Sequence, residues 1–183
     1  MFNTKSRYGL VAVVLHWLMA VVILGMFGLG LYMVELTYYD KLYKTLPFIH
    51  KSVGILLALV FALRIVWKLI NPAPEPISSL TRFEALASKT VHLAFYGFIA
   101  CIIVSGYLIS TADNSSINVF NLFEVPSTIT GIPEQEDRAG LVHQYLTYGL
   151  IGLVVLHATA ALKHHFVNRD DTLRRMLRIK ITR

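Results

Sequence analysis

Four histidines punctuate the apolar run LVHQYLTYGLIGLVVLHATAALKHH, Leu141 to His165. Two of them, His143 and His157, are 14 residues apart. On an α-helix that interval covers about 21 Å of axis and misses a whole number of turns by about 40°. Both imidazoles therefore share one face, one near each end of a helix long enough to cross a bilayer. An ionisable side chain within a membrane is costly, and it faces the bundle interior with a partner or a function. Imidazole offers two kinds of chemistry there: ligation of a metal, and proton transfer near neutral pH.

The chain has seven histidines, and all lie in or beside apolar stretches. His50 opens the second stretch at the same depth as His143. His16 lies about as far into the first stretch as His157 lies from the end of the fourth. Two bis-histidine sites at two depths suit two b-type haems, with imidazoles as axial iron ligands and an apolar wall around them. His92 sits at a depth similar to His16 and His157, so depth leaves it open as an inner ligand. A zinc site is disfavoured, because the histidines divide between two depths and the spans lack carboxylates. Ser/His/Asp hydrolysis lacks an acid to orient a buried histidine.

Four elements must position these groups. Stretches of roughly 8–34, 48–70, 90–112 and 139–165 approach the ~20 apolar residues that a spanning helix needs. Hydrophobic residues make up 55% of the 183, and charged residues only 15%, well below the share of about 25% in soluble domains. The expectation is one domain over 1–183, an all-α integral membrane four-helix bundle with up-down topology. The first run is too long for the apolar core of a cleaved signal peptide and reads as a retained helix. NPAPEPISS after the second run cannot continue a helix. Within the long link 113–138, NVFNLFEVPSTI reads either as an interfacial segment or as a plain loop.

Charge sets the expected orientation. One end collects Lys5, Arg7, Arg64, Lys68, Arg82, Lys89, Lys163, Arg169, Arg174, Arg175, Arg178, Lys180 and Arg183; the other has Lys41, Lys44, Lys51 and Arg138. Positive residues mark the cytoplasmic side, so both termini are expected there. The net charge of +6 then reflects topology rather than nucleic-acid binding, and the basic tail reads as a segment beside anionic lipid. Arg64, inside the second stretch, has two readings: it snorkels to the interface, or it pairs with a haem propionate. The single cysteine, Cys101, reads as an apolar packing residue. No C-x-x-C-H occurs, so any haem is held without thioether bonds.

VVLHWLMAVVILG, HKSVGILLALVFALRIVWK, HLAFYGFIACIIVSGYLIS and LKHHFVNRDDTLRRM together resemble the bacterial cytochrome b561 family, across almost the whole chain. The resemblance implies an inner-membrane protein with two haems b, the family's ligand pattern falling on His16 with His157 and on His50 with His143. It implies electron exchange between a periplasmic-side reactant and the quinone pool, and one branch of the family passes electrons from superoxide to ubiquinone. Lys89, His92 and His164 are the candidates for the quinone side. The outer links depart from what an anionic donor would favour. They carry Glu35, Asp40, Asp113, Glu124, Glu134, Glu136 and Asp137 against four basic residues. A haem-bearing anchor for a separate dehydrogenase is the alternative.

Overall fold

A computed structural model describes residues 2–77 and 80–177. Its frame is four helices: α1 (Leu10–Met33), α2 (Thr45–Ile70), α3 (Arg82–Ser110) and α4 (Gln135–Lys163). Between α3 and α4 lie two short antiparallel strands, β1 (Ile117–Val119) and β2 (Phe123–Val125). After α4 comes a wide π-helical turn, His164–Asn168, and a short helix α5 (Thr172–Leu177). All four long helices have the length and composition to cross a membrane, with mean hydropathies between 1.6 and 2.6. The up-down arrangement expected from the apolar runs is the one observed.

Three helix starts lie earlier than expected, α2 by three residues at Thr45 and the other two by more. α3 begins at Arg82 rather than near 90, because Thr81 and Glu84 close a reciprocal capping box: Glu84 N–H donates to the Thr81 hydroxyl, and Thr81 N–H donates to the Glu84 carboxylate. Polar side chains past the lipid-facing run thus stay helical. α4 likewise begins at Gln135, whose side chain is buried and donates to Leu108 O at 2.9 Å.

Backbone contact is closest within two helical hairpins, α1 with α2 and α3 with α4, and sparser between them. Gly149 lets α3 and α4 approach. A Cβ there would fall 2.6 Å from Phe98 Cε1, a separation no real side chain tolerates. Midway along the bundle each helix contributes one residue to a buried apolar cluster: Met19, Phe61, Ile99 and Leu150. Elsewhere the helices turn large apolar side chains outward, among them Val21, Leu63, Leu93 and Leu156. In water such a surface would be a liability; around a membrane span it is the solvated face. Cys101 belongs to that outer face and is exposed, not a packing residue as its apolar setting suggested.

The described segments nearest the two chain ends lie at one end of the bundle. Lys5 O accepts from Glu75 N–H at 2.9 Å, Arg175 donates to Glu75 O at 2.8 Å, and Trp17 Nε1 donates to Met176 O at 3.0 Å. α5 therefore folds back beneath α1. The distal tail, with Arg178, Lys180 and Arg183, lies outside the described residues.

The long link is an ordered hairpin rather than a loop. β1 alternates inward and outward, with Ile117 and Val119 2% and 0% exposed against α2. Ser52, fully buried, pins the hairpin: it donates to Asn118 O at 3.3 Å and accepts from Phe120 N–H at 3.2 Å. The turn uses left-handed backbone at Phe120 (φ 49°) and Asn121 (φ 59°). Asn tolerates that region, whereas Phe occupies it at a cost. The Phe120 ring recovers part of that cost edge-on against Phe48, 5.9 Å between centroids.

Candidate cofactor sites between the helical hairpins

α4 carries His143 and His157 on its inward side, and each meets a histidine from the other hairpin. The His50 and His143 ring centres are 6.3 Å apart with planes at 70°. The His16 and His157 ring centres are also 6.3 Å apart, with planes at 64°. Two imidazoles on opposite sides of one metal ion have ring centres about 6.2 Å apart, given bonds of about 2.0 Å and about 1.1 Å from nitrogen to ring centre. Both pairs match that spacing, and they do so at opposite ends of the apolar cluster. They also lie where the two hairpins stand apart, which is where a flat group would fit.

Small residues make the room. Gly30 faces His50: a Cβ at Gly30 would sit 3.5 Å from its Cε1. Gly106 faces His143 more tightly, with 3.2 Å from an added Cβ to Cε1. Neighbouring polar groups then orient the outer pair. His143 Nδ1 lies 3.0 Å from Ile102 O and 3.1 Å from the Ser105 hydroxyl. A carbonyl can only accept, so Nδ1 carries the proton and Nε2 keeps its lone pair for a metal. His50 Nδ1 is buried without a partner. The hairpin packs on α2 at this end of the bundle, through Ser52.

The inner pair has a different setting. Arg64 Nη2 lies 3.3 Å from His16 Nδ1, and its Nη1 lies 3.6 Å from Met19 Sδ. Neither contact compensates a guanidinium, and no carboxylate reaches it among the described residues. A guanidinium only donates, so this contact leaves His16 Nδ1 as the acceptor. Arg64 thus points inward and does not snorkel. Phe95 packs edge-on to His157 at 5.4 Å. His92 also lies beside His157, with ring centres 5.6 Å apart, and its Nδ1 contacts the Ser88 hydroxyl at 3.3 Å.

His164, just past the end of α4, is 9% exposed. Its Nδ1 is 2.7 Å from Asp170 Oδ2 and 3.1 Å from Asn168 Nδ2, and its Nε2 is 4.0 Å from Glu84. Lys163 pairs with Glu84 at 2.7 Å. This clamp joins α3, α4 and the turn into α5. Lys89 stays exposed on α3. His165 Nδ1 is buried and unpartnered. Sequence reasoning missed Ser52, Ile102 O and Asp170. Only Asp170 left a signal, the close spacing of Asn168, Asp170 and Asp171 after His164.

Comparison with known proteins identifies the family. The family pattern of prokaryotic cytochrome b561 matches residues 7–178. Cytochrome b561 homolog 2 of Escherichia coli is 47% identical over 175 residues, covering 96% of this chain and 93% of that protein. A protein of Yersinia pestis named probable superoxide oxidase CybB is 25% identical over 94% of this chain and 96% of its own length. Cytochrome b561 homolog 1 of E. coli is 25% identical over 70% of this chain and 72% of its own.

Proposed function

Because the chain belongs to the prokaryotic cytochrome b561 family, a family of haem-binding membrane electron carriers, we propose that it is a di-haem b carrier that links a periplasmic-side reactant to the quinone pool. The carrying observation is the recurrence of one imidazole spacing, 6.3 Å, at both ends of the bundle. His50 and His143 would hold the outer haem, and His16 and His157 the inner one. Haem b so held supplies reversible one-electron exchange at iron.

The residues supply the rest. Ile102 O and Ser105 fix His143 in the tautomer that ligates through Nε2. Gly30 and Gly106 keep the faces of the outer imidazoles clear. The apolar cluster of Met19, Phe61, Ile99 and Leu150 separates the two levels and keeps ions out between them. Arg64 is the propionate partner at the inner level: turning to a carboxylate would relieve its uncompensated charge and free His16 to reverse its tautomer.

The quinone side is the end bearing the termini, which the excess of Lys and Arg assigns to the cytoplasm of an inner-membrane protein. His92 is beside the inner pair and sits on the exposed side of α3, where it can pass a proton to a reduced quinone. His164 is engaged by Asp170 and Asn168, and Lys89 faces outward, so both serve that step less directly. Superoxide is the first donor to test, since one relative is named for it. Stopped-flow reduction of the pure protein by superoxide and, separately, by ubiquinol tests the reading. Reduction by at least one is expected. Failure with both would favour an anchor subunit that receives electrons from a separate dehydrogenase.

A further inference from the structure

The two imidazole pairs have the same ring spacing, 6.3 Å, and different polar neighbours. At the outer pair His143 gives its Nδ1 proton to a carbonyl, Ile102 O at 3.0 Å. Such a bond raises the basicity of the ligating nitrogen and favours the ferric state. At the inner pair neither His16 nor His157 has a carbonyl or carboxylate acceptor among the described residues. His16 faces the Arg64 guanidinium instead, at 3.3 Å. Arg64 is half-buried and always charged, so its field is little screened. Turned to a haem propionate, as proposed above, it would cancel a negative charge near the inner site and so favour the state with one more electron.

The surrounding charge runs the same way. Lys68 sits one turn beyond Arg64 on α2, its Nζ 4.3 Å from the Tyr96 ring centre, at the inner level. At the outer end Lys51 follows His50 but is exposed; Asp113 lies near it, and Glu134 is paired with Arg138 at 3.1 Å. Solvent weakens each of those exposed groups. The half-buried Arg64 therefore sets the difference.

We propose that Arg64 makes the inner pair the higher-potential site, so that electrons entering at the hairpin end drain toward the end that carries both termini. The proposal rests on the di-haem reading. The transfer would move one electron from the haem that His50 and His143 would hold to the one that His16 and His157 would hold. The reductant is a one-electron donor at the hairpin end, and the oxidant is a quinone at the other. Arg64 is a positioning residue for charge and takes no part in ligation.

Redox potentiometry of the haem-loaded full chain tests this, with haem per chain counted first for every variant. Two components are expected in the wild type. The higher one should be absent from His157→Ala and present in His143→Ala. Arg64→Gln should shift the higher component downward and leave the lower one in place, and Arg64→Lys should restore part of the shift. A higher component that survives His157→Ala would overturn the proposal. So would an Arg64→Gln protein with both sites filled and both potentials unchanged. If Arg64→Gln loses its inner haem, the assignment from the two histidine variants decides. A wild-type protein that binds fewer than two haems contradicts the di-haem reading itself, before any potential is measured.

Discussion

The ring centre of His92 lies 5.6 Å from that of His157, closer than that of any other imidazole. Proximity alone would make it the partner. The spacing argues otherwise: it is too short for two imidazoles in line across one metal, where about 6.2 Å is needed. The Ser88 hydroxyl also engages its Nδ1. His92→Ala should therefore keep both haems and slow turnover with quinone, read as haem content beside a quinone-reduction assay. Loss of a haem from this variant would return His92 to the ligand set.

Gly106 should be indispensable at the outer pair. A methyl group there meets His143 Cε1 at 3.2 Å, and Ile102 O and Ser105 hold that ring in place. Overpacking of this kind costs about 1–3 kcal/mol. Gly106→Ala should perturb the outer haem's spectrum or its retention. Gly97→Ala on the same helix meets nothing within 4 Å and should behave as wild type. Equal behaviour of the two variants would show that Gly106 is not needed to clear the ring.

Ser52 ties the hairpin to the helix that carries His50. Replacing it with alanine strands a buried carbonyl and a backbone N–H, at a cost of about 1–3 kcal/mol. Hydrogen exchange should quicken at 117–125 in Ser52→Ala, with exchange around the inner pair unchanged. Unaltered protection of β1 would mean that Ile117 and Val119 hold the hairpin without the serine.

The clamp at the far end should respond to acid. Burial pushes the Asp170 carboxyl up, but its bonds from Thr172 and from the His164 ring outweigh burial and hold it below the ordinary carboxylate range. A lowered folded pKa means stability that is complete above the unfolded value and lost as pH falls through the folded one. Limited proteolysis should release 165–177 only at acid pH, with the bundle intact. Asp170→Asn should show that release at neutral pH. Protection that is the same at every pH would remove Asp170 from the clamp.

Much of this was legible before any coordinates. The apolar runs located all four helices, because a bilayer imposes length and composition directly. The 14-residue interval put His143 and His157 on one face, because helical geometry admits no other answer. Depth then paired each with a histidine across the bundle. Depth could not separate His16 from His92, whose ring centres lie 6.3 Å and 5.6 Å from that of His157. The hairpin was missed because its strands are three residues each, too short for an alternation to stand out. Ile102 O was invisible in principle, since a backbone carbonyl has no residue type to read. The early start of α3 was readable in Thr81-Arg82-Phe83-Glu84, a capping-box pattern that the apolar count ignores.

The most direct measurement is haem per chain, with the reduced spectrum, in the wild type and in four single variants. The wild type should bind two haems b. His50→Ala and His143→Ala should each retain one, the same one in both. His16→Ala and His157→Ala should each retain the other. A wild-type protein with a single haem, or variants from opposite ends of the bundle that lose the same haem, would contradict the account.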